Sequence, residues 1–294
     1  MASSCSALLL GDSAAFAAAL RTLINNPQFS DVTFLVGREQ QEIFAHRCLL
    51  SSRCQALHAM LSQPQEIQAP LILSHVQPEV FLAVIEYLYT NSVTLNSIIT
   101  LEVLTSSIEY GLDELRKLCI EFIKDTLSVE QACEAFQAAV AYGQVDLQMH
   151  CLAFIENFTR EVVQTRGFLE LSELAMQTIL HSDCLAIDEV KLIRAVREWA
   201  HVGSAVLDRT VSDVAAAVVP GLRLALLSAS ELTTLEEENR KDQMIPKVWL
   251  RPGRCMHYGR GVENDLPCVD ADVALCPGNI IATLTHSTSD MVSP

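Results

Sequence analysis

The sequence predicts an α+β fold in which a small β-sheet packed with helices precedes an all-helical domain. A short run rich in β-branched residues at 32–36 ends at Gly37, and a second apolar run follows at 43–46. Apolar residues then recur at helical spacing from 128 to about 217, where no convincing strand occurs. From Arg251 the chain has several glycines and prolines and no helical period, so this tail is predicted to be largely disordered.

The first predicted element is an amphipathic helix over 14–25. Asp12 and Ser13 offer side-chain oxygens that can cap its first turn, and Pro27 ends it. Four apolar residues fall on one stripe of this helix: Phe16, Leu20, Leu23 and Ile24. A stripe of this kind is the packing face of a helix.

The two strands are predicted to form a hairpin that leads directly into two short helices over 47–62. Asp31 stands at the entrance of the first strand, and His46 and Arg47 stand where the second strand becomes helix. Charges at element ends can meet a partner surface. Asp31 and Arg47 are therefore predicted to form either a structural ion pair or part of a recognition pocket. His46 is predicted to cap or pack rather than to act as a base.

A third short strand at 71–73 follows Pro70, and Pro78 opens the next helix at its first turn. Two more helices are predicted over 97–109 and 112–126, with a glycine between them as the break. These elements define a first domain over 1–126, whose core is expected at about 30–100.

The second domain is predicted over 127–235 as a set of helices joined by short loops. Its four apolar stripes comprise Ala132, Phe136, Ala139 and Val140; Leu152, Ile155 and Phe158; Phe168, Leu171, Leu174, Ala175 and Ile179; and Leu192, Val196 and Trp199. Glu236, Glu237 and Glu238 begin a polar exit segment. Residues 236–294 are therefore predicted to form a charged linker and a largely disordered tail.

The composition limits the classes of partner. The chain has 294 residues, half of them apolar, a net charge of −16, and no run of Lys and Arg longer than two. Nucleic acids and anionic membrane surfaces both need clustered basic side chains, so neither is expected as a partner. No window reaches the ~18 uncharged apolar residues of a membrane span, and no basic residue precedes Arg21 as a secretory signal requires. A cytoplasmic protein is expected, with a nuclear pool left open.

The ten cysteines are expected to be free thiols in a reducing compartment, and no C-x-x-C pair occurs among them. Two His/Cys sets have spacings that match no common zinc site, so no metal and no cofactor is expected. These sets are His46, Cys48, Cys54 and His58, and Cys255, His257, Cys268 and Cys276.

Single side chains offer little catalytic chemistry. Cys54, next to Arg53, is predicted to be a small buried residue rather than a reactive thiol. At least one of Tyr87 and Tyr89 should lie in the core with its hydroxyl bonded to a partner. No G-x-S-x-G, Walker-type or G-x-G-x-x-G motif occurs, so an enzyme is not expected, and a cysteine hydrolase is the remaining enzyme alternative.

Several spaced motifs resemble those of a known family. The first domain, over about 12–126, resembles a BTB/POZ domain in Ser30-Asp31-Val32, Phe44-Ala45-His46-Arg47, Leu49-Leu50 and Tyr87-Leu88-Tyr89-Thr90. The second resembles a BACK domain in the motif at 154–158, the motif at 168–172, Ser182-Asp183-Cys184-Leu185, Glu189 and Trp199. The chain as a whole is similar to BTB/POZ–BACK proteins without Kelch repeats.

The resemblance implies a protein-interaction module that forms homodimers. In such dimers the helix at 14–25 packs across a two-fold axis, and an acid and a base at the positions of Asp31 and Arg47 face each other near that axis. The interface residues implied for this chain are Phe16, Leu20, Leu23, Asp31 and Arg47. Many relatives are substrate adaptors of cullin-3 ubiquitin ligases, so cullin-3 is the partner that the resemblance implies.

One loop departs from the adaptor pattern. Cullin-binding relatives carry a large apolar residue, any residue and then Glu after the third helix, where this chain has Pro64-Gln65-Glu66. Pro64 is a poor substitute for a side chain that must fill a pocket. Pro64 and Glu66 are the predicted cullin contacts, and the alternative to an adaptor is a dimeric scaffold without cullin binding.

Overall fold

Three short strands form the sheet of the first domain, in the order β2-β1-β3. The computed structural model describes residues 11–62 and 70–250. Strand β1 spans Val32–Val36, β2 spans Gln41–Ala45 and β3 spans Leu71–Leu73. Strand β1 pairs antiparallel with β2 and parallel with β3, so it occupies the middle of the sheet.

The core of the first domain forms on one face of this sheet. Val32, Phe34 and Val36 alternate as buried residues along β1, as the period of two in a strand requires. Phe34 lies opposite Ile43 of β2, and its ring meets the ring of Phe81 edge to face with 4.9 Å between centroids. The three predicted strands are confirmed, and β2 begins two residues before the predicted start because its exposed first residues still pair with β1.

Six helices accompany the sheet in the described part of the first domain, residues 11–62 and 70–126. They are α1 Ser13–Arg21, α2 Arg47–Arg53, α3 Gln55–Leu61, α4 Pro78–Thr90, α5 Thr100–Glu109 and α6 Asp113–Thr126. Gly111 has a φ of +67° between α5 and α6, a conformation that glycine adopts without steric cost. The sequence placed this break correctly.

The predicted helix over 14–25 is too long. Helix α1 ends at Arg21, and Asn25 adopts a left-handed φ of +49°, which a helix cannot continue through. The Asn25 side-chain oxygen accepts a hydrogen bond from the Phe44 backbone N–H at 3.1 Å. The turn after α1 is therefore attached to the edge strand β2.

The second domain is helical throughout the described residues, which confirms the predicted fold class. Its helices are α7 Ala132–Ala141, α8 Val145–Asn157, α9 Thr159–Val162, α10 Arg166–Leu169, α11 Glu173–Leu180, α12 Glu189–Leu207, α13 Val211–Ala215 and α14 Ala229–Asp242. Two short 3₁₀ segments, Val219–Gly221 and Leu224–Leu226, lie between α13 and α14.

The expectation of a charged linker from residue 236 needs correction, because Glu236–Glu238 lie inside α14. Glu238 forms ion pairs with Arg194 at 3.0 Å and Arg197 at 2.7 Å, both on α12. Arg197 also pairs with Asp242 at 3.0 Å. Partners on α12 thus neutralise one face of α14, and a linear sequence does not show this pairing. The predicted tail from 251 lies outside the described residues.

A buried asparagine, Asn239, forms hydrogen bonds with the backbone of the segment that follows α14. The Asn239 side chain, 2% exposed, donates to the Ile245 carbonyl at 2.7 Å and accepts from the Ile245 N–H at 2.8 Å. These bonds satisfy a buried backbone donor and acceptor together. Met244, Ile245 and Leu250 are consequently buried in the core.

Replacing Asn239 with Ala should lower the free energy of unfolding by about 1–3 kcal/mol, because it leaves two buried backbone groups of one residue unpaired. Chemical denaturation of the full chain followed by circular dichroism measures this. The matched control is Asn157→Ala, whose exposed amide donates only to Ala153 of its own helix. Equal losses in the two variants would contradict the role assigned to Asn239.

Candidate interaction surface

Asp31 and Arg47 meet where the sheet turns into α2. The Asp31 carboxylate accepts a hydrogen bond from the Arg47 backbone N–H at 2.6 Å, at the start of α2. The Arg47 side chain donates instead to two carbonyl oxygens, that of Asp31 at 3.2 Å and that of Leu61 at 3.0 Å. The aspartate therefore caps α2, while the arginine joins the start of β1 to the end of α3.

This geometry refines the predicted ion pair. The two residues are neighbours, but their hydrogen bonds join side chains to backbone groups rather than carboxylate to guanidinium. Asp31 remains exposed. Its structural role at the helix start is therefore compatible with contact to a partner, and its place in a dimer interface stays a prediction.

His46 and Tyr89 form a buried pair beside this junction. The Tyr89 hydroxyl accepts from the His46 backbone N–H at 2.8 Å and lies 2.9 Å from the ring Nδ1. Burial raises the pKa of Tyr89 to about 12, so the hydroxyl keeps its proton at neutral pH and can donate it to Nδ1. His46 thus packs and positions the helix start, and Tyr89 supplies the bonded hydroxyl that the sequence predicted.

Helix α1 rests on α4 by its C-terminal end. Leu20 is half-buried against the core, and Arg21 forms an ion pair with Glu86 of α4. Glu86 is held in place by the backbone N–H and the hydroxyl of Thr94, each at 3.1 Å. In the described chain no residue of α1 is fully buried, and Phe16 is 66% exposed. Among the predicted interface residues, Phe16 therefore offers the largest free apolar surface.

The cysteine and histidine sets do not assemble into a site within residues 11–62 and 70–250. No group of three His, Cys, Asp or Glu side chains in these ranges could hold a metal ion. Cys54 is buried, where its sulfur accepts from the Leu57 N–H and donates to the Tyr110 carbonyl, each at 3.5 Å. The second set, at 255–276, lies outside the described residues.

Other buried thiols are also poor nucleophiles. Burial raises the pKa of three cysteine thiols to about 12, so they are protonated at neutral pH. They are Cys119, Cys133 and Cys151. Their role is that of small apolar core residues.

The predicted cullin loop lies outside the described residues, so Pro64 and Glu66 keep their predicted role without a structural description. In the sequence these residues stand between α3 and β3. Among the described helices, none has the length and hydropathy needed to cross a bilayer.

The two domains are joined by polar contacts between α6 and the start of α8. Arg116 donates to the Gln144 side chain at 2.8 Å, and Lys124 forms an ion pair with Asp146. The first helices of the second domain therefore have a defined position against the first domain. Sequence reasoning missed the exposed apolar residues Val145 and Met149 on α8, since a stripe pattern does not say which face stays uncovered.

The role of Asp31 as a helix cap can be separated from a charge role by two substitutions. Asp31→Ala should destabilise the chain by about 1 kcal/mol, because the Arg47 N–H at the start of α2 loses its hydrogen-bond acceptor. Asp31→Asn keeps an oxygen acceptor for the Arg47 N–H and should cost clearly less. Thermal and urea unfolding measure both variants. A loss for Asp31→Asn as large as for Asp31→Ala would show that the carboxylate charge carries the stability.

Comparison with known proteins agrees with this architecture. Residues 20–127 match the family described as BTB/POZ domain, and residues 132–237 match the family described as BTB And C-terminal Kelch, or BACK. BTB/POZ domain-containing protein 19 of Homo sapiens is 51% identical over 262 residues, covering 88% of this chain and 90% of that protein.

The same protein of Bos taurus is 53% identical over 262 residues, with the same coverage of both chains. BTB/POZ domain-containing protein 9 of Homo sapiens is 30% identical over 219 residues, which cover 71% of this chain and 34% of that protein. With both domains matched in order and half of the residues shared along most of its length, this chain belongs to the BTB/POZ–BACK family.

Proposed function

We propose that this protein is a homodimeric protein-interaction module that acts as a substrate adaptor of a cullin-3 ubiquitin ligase. BTB/POZ–BACK proteins are typically protein-interaction proteins and cullin-3 adaptors, and the family is generally non-enzymatic. The observation that carries the proposal is the exposed apolar face of α1. The cytoplasm is the compartment that we propose for it.

Self-association is supported by the lack of cover on α1. Every residue between Ser13 and Arg21 is apolar, yet no residue of the helix is fully buried in the described chain. A helix of this length is marginal in water and depends on tertiary packing for its stability. Burying a phenylalanine such as Phe16 contributes about 1.5–3 kcal/mol per side chain. A second copy placed across α1 would bury Phe16 from both chains.

Charge also favours α1 as the surface where two copies meet. Each copy has a net charge of −16, so two copies repel each other over most of their surfaces. The only charged residue of α1 is Arg21, which pairs with Glu86. The helix therefore brings no carboxylate of its own to the contact.

Adaptor function is supported by the joint surface of the two domains. The hydrogen bond from α6 to Gln144 and the ion pair from α6 to Asp146 position the start of α8 against the first domain. A partner that contacts both domains would meet a pre-arranged surface and lose less conformational entropy on binding. The extensive BACK match favours an adaptor over a scaffold that binds no cullin.

The second candidate function is a dimeric scaffold without cullin binding. The specific observation in its favour is Pro64, at the position where cullin-binding relatives carry a large apolar residue. A proline ring fills a pocket less completely than an aromatic side chain, so affinity at this point would be low.

Self-association is tested with Phe16→Asp in the full chain. The variant should convert a dimer to a monomer, because it places a charge at the centre of the apolar contact, while its circular dichroism should stay unchanged since Phe16 is exposed. Light scattering reports the mass. The matched control, Ile98→Asp, alters a residue that is 83% exposed elsewhere on the first domain and should leave the dimer intact. A dimer that survives Phe16→Asp contradicts this interface.

Cullin binding is tested by calorimetry with the cullin-3 N-terminal region. An adaptor should bind with micromolar or lower Kd, and Pro64→Phe should tighten binding about tenfold by filling the partner pocket, which corresponds to about 1.4 kcal/mol. Absence of micromolar binding by the unaltered chain would contradict the adaptor. Binding gained only in Pro64→Phe would support the scaffold instead.

A further inference from the structure

Phe29 combines two unfavourable features within its own chain. Its backbone φ is +64°, in the left-handed region that bulky L-residues rarely adopt, and its side chain is 80% exposed. Strained conformations of this kind persist where the surroundings impose them, and they cluster at functional sites. The ring has little packing in its own chain that would offset the strain.

The turn that imposes this conformation is well bonded. The Asn26 side chain accepts from the Gln28 N–H at 2.9 Å, and the Pro27 carbonyl accepts from the Ser30 hydroxyl at 3.0 Å. The next residue, Asp31, donates its N–H to the Ala45 carbonyl at 3.2 Å and so joins the sheet. Phe29 therefore projects from a short turn that is fixed at both ends.

We propose that Phe29 is an anchor residue that inserts into a second copy of this chain, next to the contact made by α1. This inference rests on the proposed self-association and adds a residue that the sequence did not indicate as part of the interface. In a contact with two-fold symmetry the same patch meets itself, so each dimer gains two Phe29 rings. Burial of the rings would offset the strain that each chain carries alone.

A second copy is favoured as the occupant by the charge pattern around Phe29. Residues 22–30 carry no charged side chain, in a chain whose net charge is −16. The flanking acids, Asp12 and Asp31, each accept hydrogen bonds at a helix start, of α1 and α2 respectively. Two highly acidic copies meet the least repulsion along a stretch of surface that carries no carboxylate of its own. A basic partner protein would instead be attracted to the acidic surfaces elsewhere.

The test substitutes Phe29 with Asn in the full chain. Asn removes the ring and tolerates a left-handed φ. The dimer dissociation constant, measured by analytical ultracentrifugation, should rise at least tenfold. At concentrations where both proteins are monomeric, the Tm should stay equal or rise, since strain is relieved. A residue that only supports the fold would instead lower the Tm when it is replaced.

Three comparisons complete the experiment. Ile98→Asn removes an equally exposed apolar side chain and should leave the dissociation constant unchanged. Phe29→Leu keeps an apolar anchor and should weaken the dimer less than Phe29→Asn does. Raising the salt concentration should strengthen the dimers of all variants by screening the repulsion between copies.

The outcomes separate this inference from the proposed function. A dimer that Phe16→Asp dissociates but Phe29→Asn leaves unchanged would overturn the role of Phe29 and preserve self-association. A chain that is monomeric at all concentrations would overturn both. If Phe29→Asn lowers the monomer Tm, the Tm of Phe29→Gly is measured, because glycine also relieves the positive φ. A lower Tm in Phe29→Gly as well would overturn the argument that Phe29 is strained in the monomer.

Discussion

The position of β1 between its two partners is the constraint on which the rest of the first domain depends. This strand pairs with β2 on one side and with β3 on the other, and Phe34 at its centre is completely buried. Because successive side chains of a strand alternate between faces, burial of Phe34 determines the register of the whole sheet. A shift by one residue would expose the core face.

Features at the two ends of the strands follow from that register. Asp31 lies at the entrance of β1 and reaches the first turn of α2, where its carboxylate accepts the Arg47 N–H. The turn that carries Phe29 comes just before Asp31, whose backbone N–H donates to the Ala45 carbonyl of β2. The sheet therefore determines where this turn ends. The proposed contact between two copies is therefore presented by elements that the sheet positions, although none of its residues belongs to the sheet core.

Acidic side chains of the described chain have two kinds of partner. Some lie at helix starts and accept backbone N–H groups, as Asp12 and Asp31 do. Others form ion pairs, as Glu238 and Asp242 do with Arg197, whose side chain is mostly buried between α12 and α14. Desolvation of a partly buried pair offsets much of its Coulomb attraction, so its presence is weak evidence for added stability. Across the whole sequence, 36 acidic residues against 20 basic ones give the chain its net charge of −16.

The sequence by itself determined the features that depend on neighbouring residues. Strand β1, the proline that opens α4 and the glycine between α5 and α6 were predicted correctly, because β-branched runs, Pro and Gly restrict the backbone locally. The fold class followed from the order of these patterns, and the family resemblance added the expected interaction role. The neighbourhood of Asp31 and Arg47 was also predicted, since both stand at ends of adjacent strands.

Only the tertiary structure decided which groups those residues contact. Asp31 and Arg47 bind backbone atoms rather than each other's side chains. Helix α1 ends at Arg21, and Asn25 in the following turn bonds to a strand that is distant in sequence. Glu238, the last of three successive glutamates in α14, pairs with Arg194 and Arg197 of α12, so this charged run belongs to a packed helix. The exposed ring and positive φ of Phe29 likewise result from the path between α1 and the sheet. Such contacts join residues far apart in the chain, so local sequence patterns carry no signal for them.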